Sequence, residues 1–388
     1  MNPYNSPDYT FPLFNQKQKS GNSNSIFQLI NPHNVKKLPV AKRTLFYLIN
    51  LIIIIVVSFF LGEIICRFHA FGWEAFKFKK TNSFVSIGYS GYLQPAEDQH
   101  VWYELKPDID GLFKMHIIRT NSRGLRDQEY SFKKPPNTYR VAVIGDSFTF
   151  GDGVNAEDTY HAILEKKLNG LSDSTKVEFI NFGIAGYDLL NYLGVMEAKA
   201  MAYDPDLILV GFCGNNDDDL PEARQYNEPF TGYRYVEWSW AVQRFQIFRT
   251  VANYMTIRRR KRNELANDEQ SERKKQFVRD MFGEFRRVKT EHDIPLMVFY
   301  LSMADAAPEK AKLVAGLCKE NGFPFIDSSP VVDGLDDISE YWFHDSDHHP
   351  NEKMHRIYAD ILLKSFVEVQ LPEKKIAQLG YIKLPGFK

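Results

Sequence analysis

From Arg140 onward, short apolar runs alternate with longer amphipathic ones. Strands are predicted at RVAVIG (Arg140–Gly145), KVEFINFG (Lys176–Gly183), DLILVGFC (Asp206–Cys213), IPLMVFYL (Ile294–Leu301) and PFID (Pro324–Asp327). The helical period of 3.6 shows in EDTYHAILEKKLN, LLNYLGVMEAKAMAY, ERKKQFVRDMFGEFRRVKTEH and PEKAKLVAGLCKEN between them, and in the closing NEKMHRIYADILLKSFVEV. The strands are apolar at successive positions, as expected of a parallel sheet covered by helices on both faces. The pattern therefore predicts an α/β domain, whose ligands would bind outside the carboxyl ends of the strands. No internal repeat is visible.

A different pattern precedes it. TLFYLINLIIIIVVSFFLGEIICRF, from Thr44, has no polar face for about 20 residues, the length that crosses a bilayer as a helix. Its first acid, Glu63, falls near the far end, where a side chain can reach the interface. The run is too long and too far from the start for a cleavable signal peptide, and no small residue precedes Cys66 as lipidation would require. Ahead of it lie Lys17, Lys19, Lys36, Lys37, Lys42 and Arg43 against Asp8 alone. Behind it, Arg67, Lys77, Lys79 and Lys80 are diluted by Glu63 and Glu74. That asymmetry predicts a cytoplasmic N-terminus and a domain on the periplasmic side.

The expected organisation is a flexible tail over 1–43, a transmembrane helix over 44–67, an irregular lead-in over 68–139, the main domain over 140–370 and a C-terminal tail over 371–388. The lead-in contains TNSRGLRD (Thr120–Asp127), a turn with a specific contact role. At 44% apolar residues the chain can bury a sizeable core, and a formal net charge of −1 gives no reason to expect a nucleic-acid partner. Three scattered cysteines without a CxxC pair exclude a zinc ribbon or a disulfide scaffold.

The chemistry gathers at the strand ends. The first strand delivers GDS with Ser147, the second NFGIAG with Gly183 and Gly186, and the third CGNND with Asn215 and Asn216. Before the last helix stands HDSDHHPN, with His344, Asp345, Asp347, His348 and His349. These are the parts of an acyl-transfer site: a serine, a base to take its proton, an acid to orient the base, and donors for an oxyanion.

In these motifs the chain resembles the SGNH hydrolases, the GDSL-type esterase superfamily. GDSFTFG, NFGIAG, GNND and DHHPN match its blocks in order over Arg140 to Val369. An apolar helix ahead of the GDS strand is similar to the layout of membrane-anchored bacterial members. The resemblance implies a flavodoxin-like three-layer α/β/α fold, with Ser147 as nucleophile, His349 as base and Asp347 as its orienting acid. It implies an oxyanion hole from the Ser147 and Gly186 N–H groups and an asparagine, with no metal and no cofactor. Strand register favours Asn215 and the motif wording Asn216. The usual acid lies three residues before the histidine, where Ser346 stands; Asp345 with His348 would restore that spacing.

Other readings compete. Asp146 and Ser147 could simply cap a helix, and Asn351 the last one. His344, Asp345, Asp347, His348 and His349, with Asp217 to Asp219, are also metal-ligand types. RRRKR (Arg258–Arg262) reads as a solvated helix end, and YRYVEWSW (Tyr233–Trp240) as packing or a substrate wall. The reading that absorbs most of these features is a membrane-anchored serine esterase acting on carbohydrate or lipid esters. The alternatives are an O-acyltransferase of envelope or exported polysaccharide, and an inactive binding module on the same fold.

Overall fold

Thr138–Gly145 (β1) is buried from Tyr139 onward, and its alternate side chains enter two different cores. Val141 and Val143 point into one and Ala142 and Ile144 into the other, as the period-two pleat of a strand requires. In this computed structural model, which describes residues 39–171, 175–214, 236–252, 254–255, 268–303 and 308–368, four strands join β1 in one parallel sheet. They are Lys176–Asn181 (β2), Leu207–Phe212 (β3), Leu296–Tyr300 (β4) and Phe325–Asp327 (β5), in the order β2-β1-β3-β4-β5. This is the flavodoxin-like order.

The helices Tyr160–Asn169 and Glu352–Glu368 cover one face through Tyr160, Leu164, Tyr358 and Leu362. Leu189–Ala198, Asp268–Glu291 and Pro308–Asn321 cover the other through Tyr192, Phe282, Phe285 and Val314. The predicted three-layer α/β/α fold is the observed one. Strands β2, β3 and β4 stop one or two residues short of their apolar runs, because apolar residues continue into the loops over the sheet end.

Residues 68–139 are less irregular than their sequence suggests. Leu93–Pro95 pairs with Tyr103–Leu105, and Asp110–Phe113 with His116–Arg119, as two antiparallel hairpins. The second turns through Lys114 and Met115 alone, at φ 46° and 64°. A two-residue turn with two positive φ values is of type I′, usually Asn-Gly, so nothing in Lys-Met announces it. Tyr103, Ile109, Phe113 and Leu125 join the core of the main domain. Tyr103 donates its hydroxyl to Ala185 O at 2.9 Å, and Tyr187 donates to Tyr103 O at 2.6 Å.

The chain divides into two compact units, Met1–Phe60 and Leu61–Lys388. In the first, the described residues are helical from Val40 and expose nearly all their apolar side chains. The helix as a whole runs over Val40–Phe71, 32 residues, long and apolar enough to cross a membrane. In the second unit, Glu63 does not reach outward as its position suggested. It is buried, accepts the Gln246 and Ile247 N–H groups at 2.8 and 3.0 Å, and pairs with Arg67. Arg67 donates onward to Thr81 and Asn82 at 2.9 and 2.6 Å. The helix 246–252 whose first N–H groups need an acceptor lies far away in sequence, so the pairing could not be read from the apolar run itself.

Candidate active site

Ser147 opens a single helical turn, Ser147–Phe150, immediately beyond β1. The capping role falls to Asp146, whose carboxylate accepts the Phe148 N–H at 2.9 Å and lies 2.7 Å from the Cys213 thiol. Burial pushes the Asp146 carboxyl above its ordinary range, against the hydrogen bonds from Cys213 and Phe148. Ser147 Oγ is thereby left for another partner. It lies 2.9 Å from His349 Nε2 and 3.4 Å from Asp146 Oδ2.

His349 and Asp347 stand on one strand of a short hairpin, Trp342–His344 paired with Asp347–Pro350. The hairpin is seated by Gly153, at φ +82°, where any Cβ would fall 2.3 Å from the Phe343 ring. Asn351 follows and caps the last helix, accepting the Lys353 and Met354 N–H groups at 3.0 and 3.3 Å. His349 Nδ1 bonds Asp347 Oδ1. The carboxylate can only accept there, so Nδ1 carries the proton and Nε2 presents its lone pair to the Ser147 hydroxyl.

Asp347 has a second partner that its sequence neighbourhood does not contain. The Lys114 ammonium, from the tip of the type I′ hairpin, bonds Asp347 Oδ2 and lies 3.3 Å from Asp152 Oδ2. Asp152 Oδ2 is 3.7 Å from His349 Nε2. Two carboxylates, a lysine and a histidine thus alternate around the serine. Burial works against the charge on Asp347, yet His349 and Lys114 hold its carboxyl well below the usual range. Burial likewise opposes a charged His349, but Asp347 outweighs it and raises the ring above its ordinary value, with Lys114 pulling back. For Lys114, burial is overcome by Asp152 and Asp347, and the amine stays charged.

The turn that carries Ser147 is held from behind by TNSRGLRD. Arg126 is buried and donates to the Phe150 and Gly151 carbonyls at 2.7 and 2.8 Å, and to Val154 O at 2.6 Å. It closes the orphan carbonyl end of the Ser147 turn. Its neighbour Asp127 accepts the Asn181 N–H at the end of β2 at 2.9 Å, and burial pushes its carboxyl up to about 6.

Ser147, Asp347 and His349 are brought together. Gly186 sits in the loop beyond β2 at φ +85°, where glycine is the residue without strain. Two residues before it, Ile184 N–H bonds Gly145 O at 3.2 Å, which ties this loop to the strand end ahead of Ser147. Among the described residues, neither the Ser147 nor the Gly186 backbone N–H donates a hydrogen bond. Asn215, Asn216 and Asp217 to Asp219 lie outside the described residues, as do RRRKR and Tyr233 to Tyr235.

Asp345 and His348 are placed elsewhere. The His348 ring stacks on Trp342 at 3.7 Å between centroids and lies 3.2 Å from Asp345 O. His344 Nε2 lies 2.8 Å from Ala70 O. Of the histidines and aspartates of HDSDHHPN, Asp347 and His349 pair with each other while the His344 and His348 rings turn to other partners, and among the described residues no three ligand-type side chains are grouped as a metal site.

Sequence reasoning missed Lys114, Asp152 and Arg126. Arg126 lies within TNSRGLRD, and Asp152 directly follows GDSFTFG between Gly151 and Gly153, so both could have been suspected as charges in glycine-bearing turns. Lys114 carries no local signal.

A family model for the GDSL-like lipase/acylhydrolase family matches residues 143–357, more than half of the chain. No curated protein matches. Among solved structures, similarity extends to a catalytic mutant of an acetylxylan esterase from Geobacillus stearothermophilus, at 17% identity and TM-score 0.36, over 58% of this chain and 93% of that one. A two-domain esterase active on acetylated mannans is 16% identical at TM-score 0.39, over 60% and 50% of the two chains. At such scores the likeness is loose, and nothing about substrate follows from it. The family match, together with a parallel sheet that ends on the GDS turn, settles the class: the chain belongs to the GDSL-like lipase/acylhydrolase family, hydrolases that act on ester bonds.

Proposed function

We propose that this chain is a membrane-anchored serine esterase that works through an acyl-enzyme on Ser147. The observation that carries the reading is the continuous chain from Asp347 through His349 to Ser147 Oγ. His349 Nε2 takes the hydroxyl proton as Oγ attacks the ester carbonyl, and Asp347 balances the imidazolium that forms. The N–H groups of Ser147 and Gly186, with Asn215 or Asn216, are the proposed donors to the oxyanion. Collapse breaks the ester C–O bond, and the alcohol leaves with the proton from His349. Water then attacks the acyl-enzyme, gives its proton to His349, and releases the carboxylic acid as Oγ regains a hydrogen.

The apolar helix supports the anchor, and the flanking charges support a domain on the periplasmic side. Carbohydrate or lipid esters, acetyl esters among them, are the proposed substrate class. A fluorophosphonate should label the full chain in detergent, and Ser147→Ala should abolish both labelling and ester turnover, by a factor on the order of a million. Substantial turnover by folded Ser147→Ala would sink the mechanism.

A further inference from the structure

We infer that the second unit rests on the bilayer surface through the face built around residues 61–80, and that the ester reaching Ser147 is presented from that surface by a lipid-held molecule. This rests on the anchored-esterase reading above.

The polarity of this segment is inside out. On one side of the helix end, Glu63 and Arg67 are buried in the domain and fully engaged. On the other, Leu61, Ile64, Ile65 and Phe68 are exposed, and they are followed by Trp73, Phe76 and Phe78, with Trp73 80% exposed. A helix end facing water would have the opposite arrangement. Charges turned inward and large apolar side chains turned outward suit a hydrocarbon surround. Aromatic residues just beyond an apolar span suit the headgroup level. Lys77, Lys79 and Lys80 lie in the same stretch against Glu74 alone, so the lipid they match is anionic.

The same helix end touches the hairpin of the site. His344 Nδ1 accepts the Ser346 N–H at 3.1 Å, so its Nε2 donates to Ala70 O at 2.8 Å. The His344 ring also packs on Phe71 and Phe84, at 5.7 and 4.9 Å between centroids. His344 is the cross-strand partner of Asp347. Directly opposed residues in an antiparallel pair lie about 5 Å apart. The acid of the site is thus one strand pair from the last turn of the helix, and the interfacial zone is itself only about 5–7 Å deep per leaflet. An ester carried on a lipid or a lipid-linked glycan is held at that level; a freely dissolved ester gains nothing from it.

The test uses the full chain in nanodiscs of phosphatidylethanolamine and phosphatidylglycerol. Spin-labelled lipids should quench Trp73 from the headgroup position more than from the deep acyl position, read as the quenching lost in Trp73→Phe. A fluorophosphonate tethered to a phosphatidylethanolamine headgroup in the same disc should label Ser147 at least tenfold faster than the same probe in separate vesicles. The triple variant Trp73→Ser, Phe76→Ser, Phe78→Ser should lose at least tenfold of the same-disc labelling rate, with soluble fluorophosphonate labelling unchanged within twofold. Normal soluble labelling with no advantage for the tethered probe, or a triple variant with unchanged same-disc labelling, overturns the inference and leaves the esterase reading standing. Failure of the soluble probe overturns the esterase reading instead, and the quenching then decides the bilayer contact by itself: absence of headgroup quenching at Trp73 refutes it.

Discussion

Replacing Lys114 should move the pH dependence of the reaction before it does anything else to the chemistry. Lys114 Nζ and His349 Nε2 lie 3.3 and 3.7 Å from the same oxygen, Asp152 Oδ2. The two nitrogens are therefore no more than about 7 Å apart, the sum of those distances. Two like unit charges at roughly 7 Å, with an effective dielectric near 20, repel by about 2.4 kcal/mol. The His349 side chain is 23% exposed, and solvent trims that figure toward about 1.5 kcal/mol. Lys114→Met removes this repulsion, so the His349 proton is held more tightly and the neutral base appears only at higher pH. The acid limb of kcat/KM, which reports the free enzyme, should move up by about one pH unit. Lys114→Arg keeps the charge and should return the limb to its wild-type place. The assay is p-nitrophenyl acetate turnover from pH 5 to 9, beside urea unfolding to confirm the fold. Loss of one partner from a buried ion pair costs about 3–5 kcal/mol, so Lys114→Met should also be less stable. An unmoved acid limb in a cooperatively folded Lys114→Met protein would refute the coupling.

Three further outcomes follow from other residues. Arg126→Leu strips hydrogen bonds from the Phe150, Gly151 and Val154 carbonyls, and should lower unfolding stability by about 3 kcal/mol in urea; a loss below about 1 kcal/mol would show that the Ser147 turn does not depend on it. Burial lowers His161 to about 4 and His355 to about 3, so both are neutral in the fold and protonate more readily when unfolded. Their contribution is present above pH 6.5 and is lost as pH falls toward 4 and 3, at up to about 1.4 kcal/mol per pH unit for each. The wild type should therefore lose stability relative to His355→Gln between pH 7 and 5, since the Asp127 and Glu165 carboxyls, raised to about 6 and about 7, act in the opposite sense in both proteins; a difference in urea midpoint that does not change with pH would contradict the assignment. Met115→Gly relieves a non-glycine residue at φ 64° and should raise Tm by a few degrees with turnover unchanged; a fall in Tm would mean the Met115 side chain matters more than its strain.

Most of the sheet was legible because each strand is apolar on both faces and each helix has its own period. That information is local, as are the motifs at the strand ends. What was not legible depends on contacts across long separations. The residue choice between His348 and His349 turns on which ring faces Ser147 and which stacks on Trp342, and adjacent positions on a strand differ in just this respect. Glu63 read as a residue at the end of a lipid-facing run because its partners, the Gln246 and Ile247 N–H groups, come from a helix over 180 residues later. Lys114 could not be found at all from sequence: its turn lacks the Asn-Gly that marks type I′ geometry, and its charge is explained only by Asp347, 233 positions on.

The strain at that turn has a physical implication of its own. Lys114 and Met115 both hold left-handed backbone angles that glycine or asparagine would adopt at lower cost, in a hairpin whose strands are only four residues long. Such a conformation persists only where the surroundings over-determine it. Here they do: the Lys114 and Met115 N–H groups bond Ser83 O at 2.8 Å and Ser83 Oγ at 3.0 Å, and the ammonium lies between two carboxylates. The lysine is the one member of the turn that supplies charge, so an Asn-Gly turn would fold more easily and leave Asp152 and Asp347 facing each other across His349. The lead-in is then an integral part of the proposed site, and a chain begun at β1 would lack both the cation beside Asp347 and the guanidinium beneath the Ser147 turn.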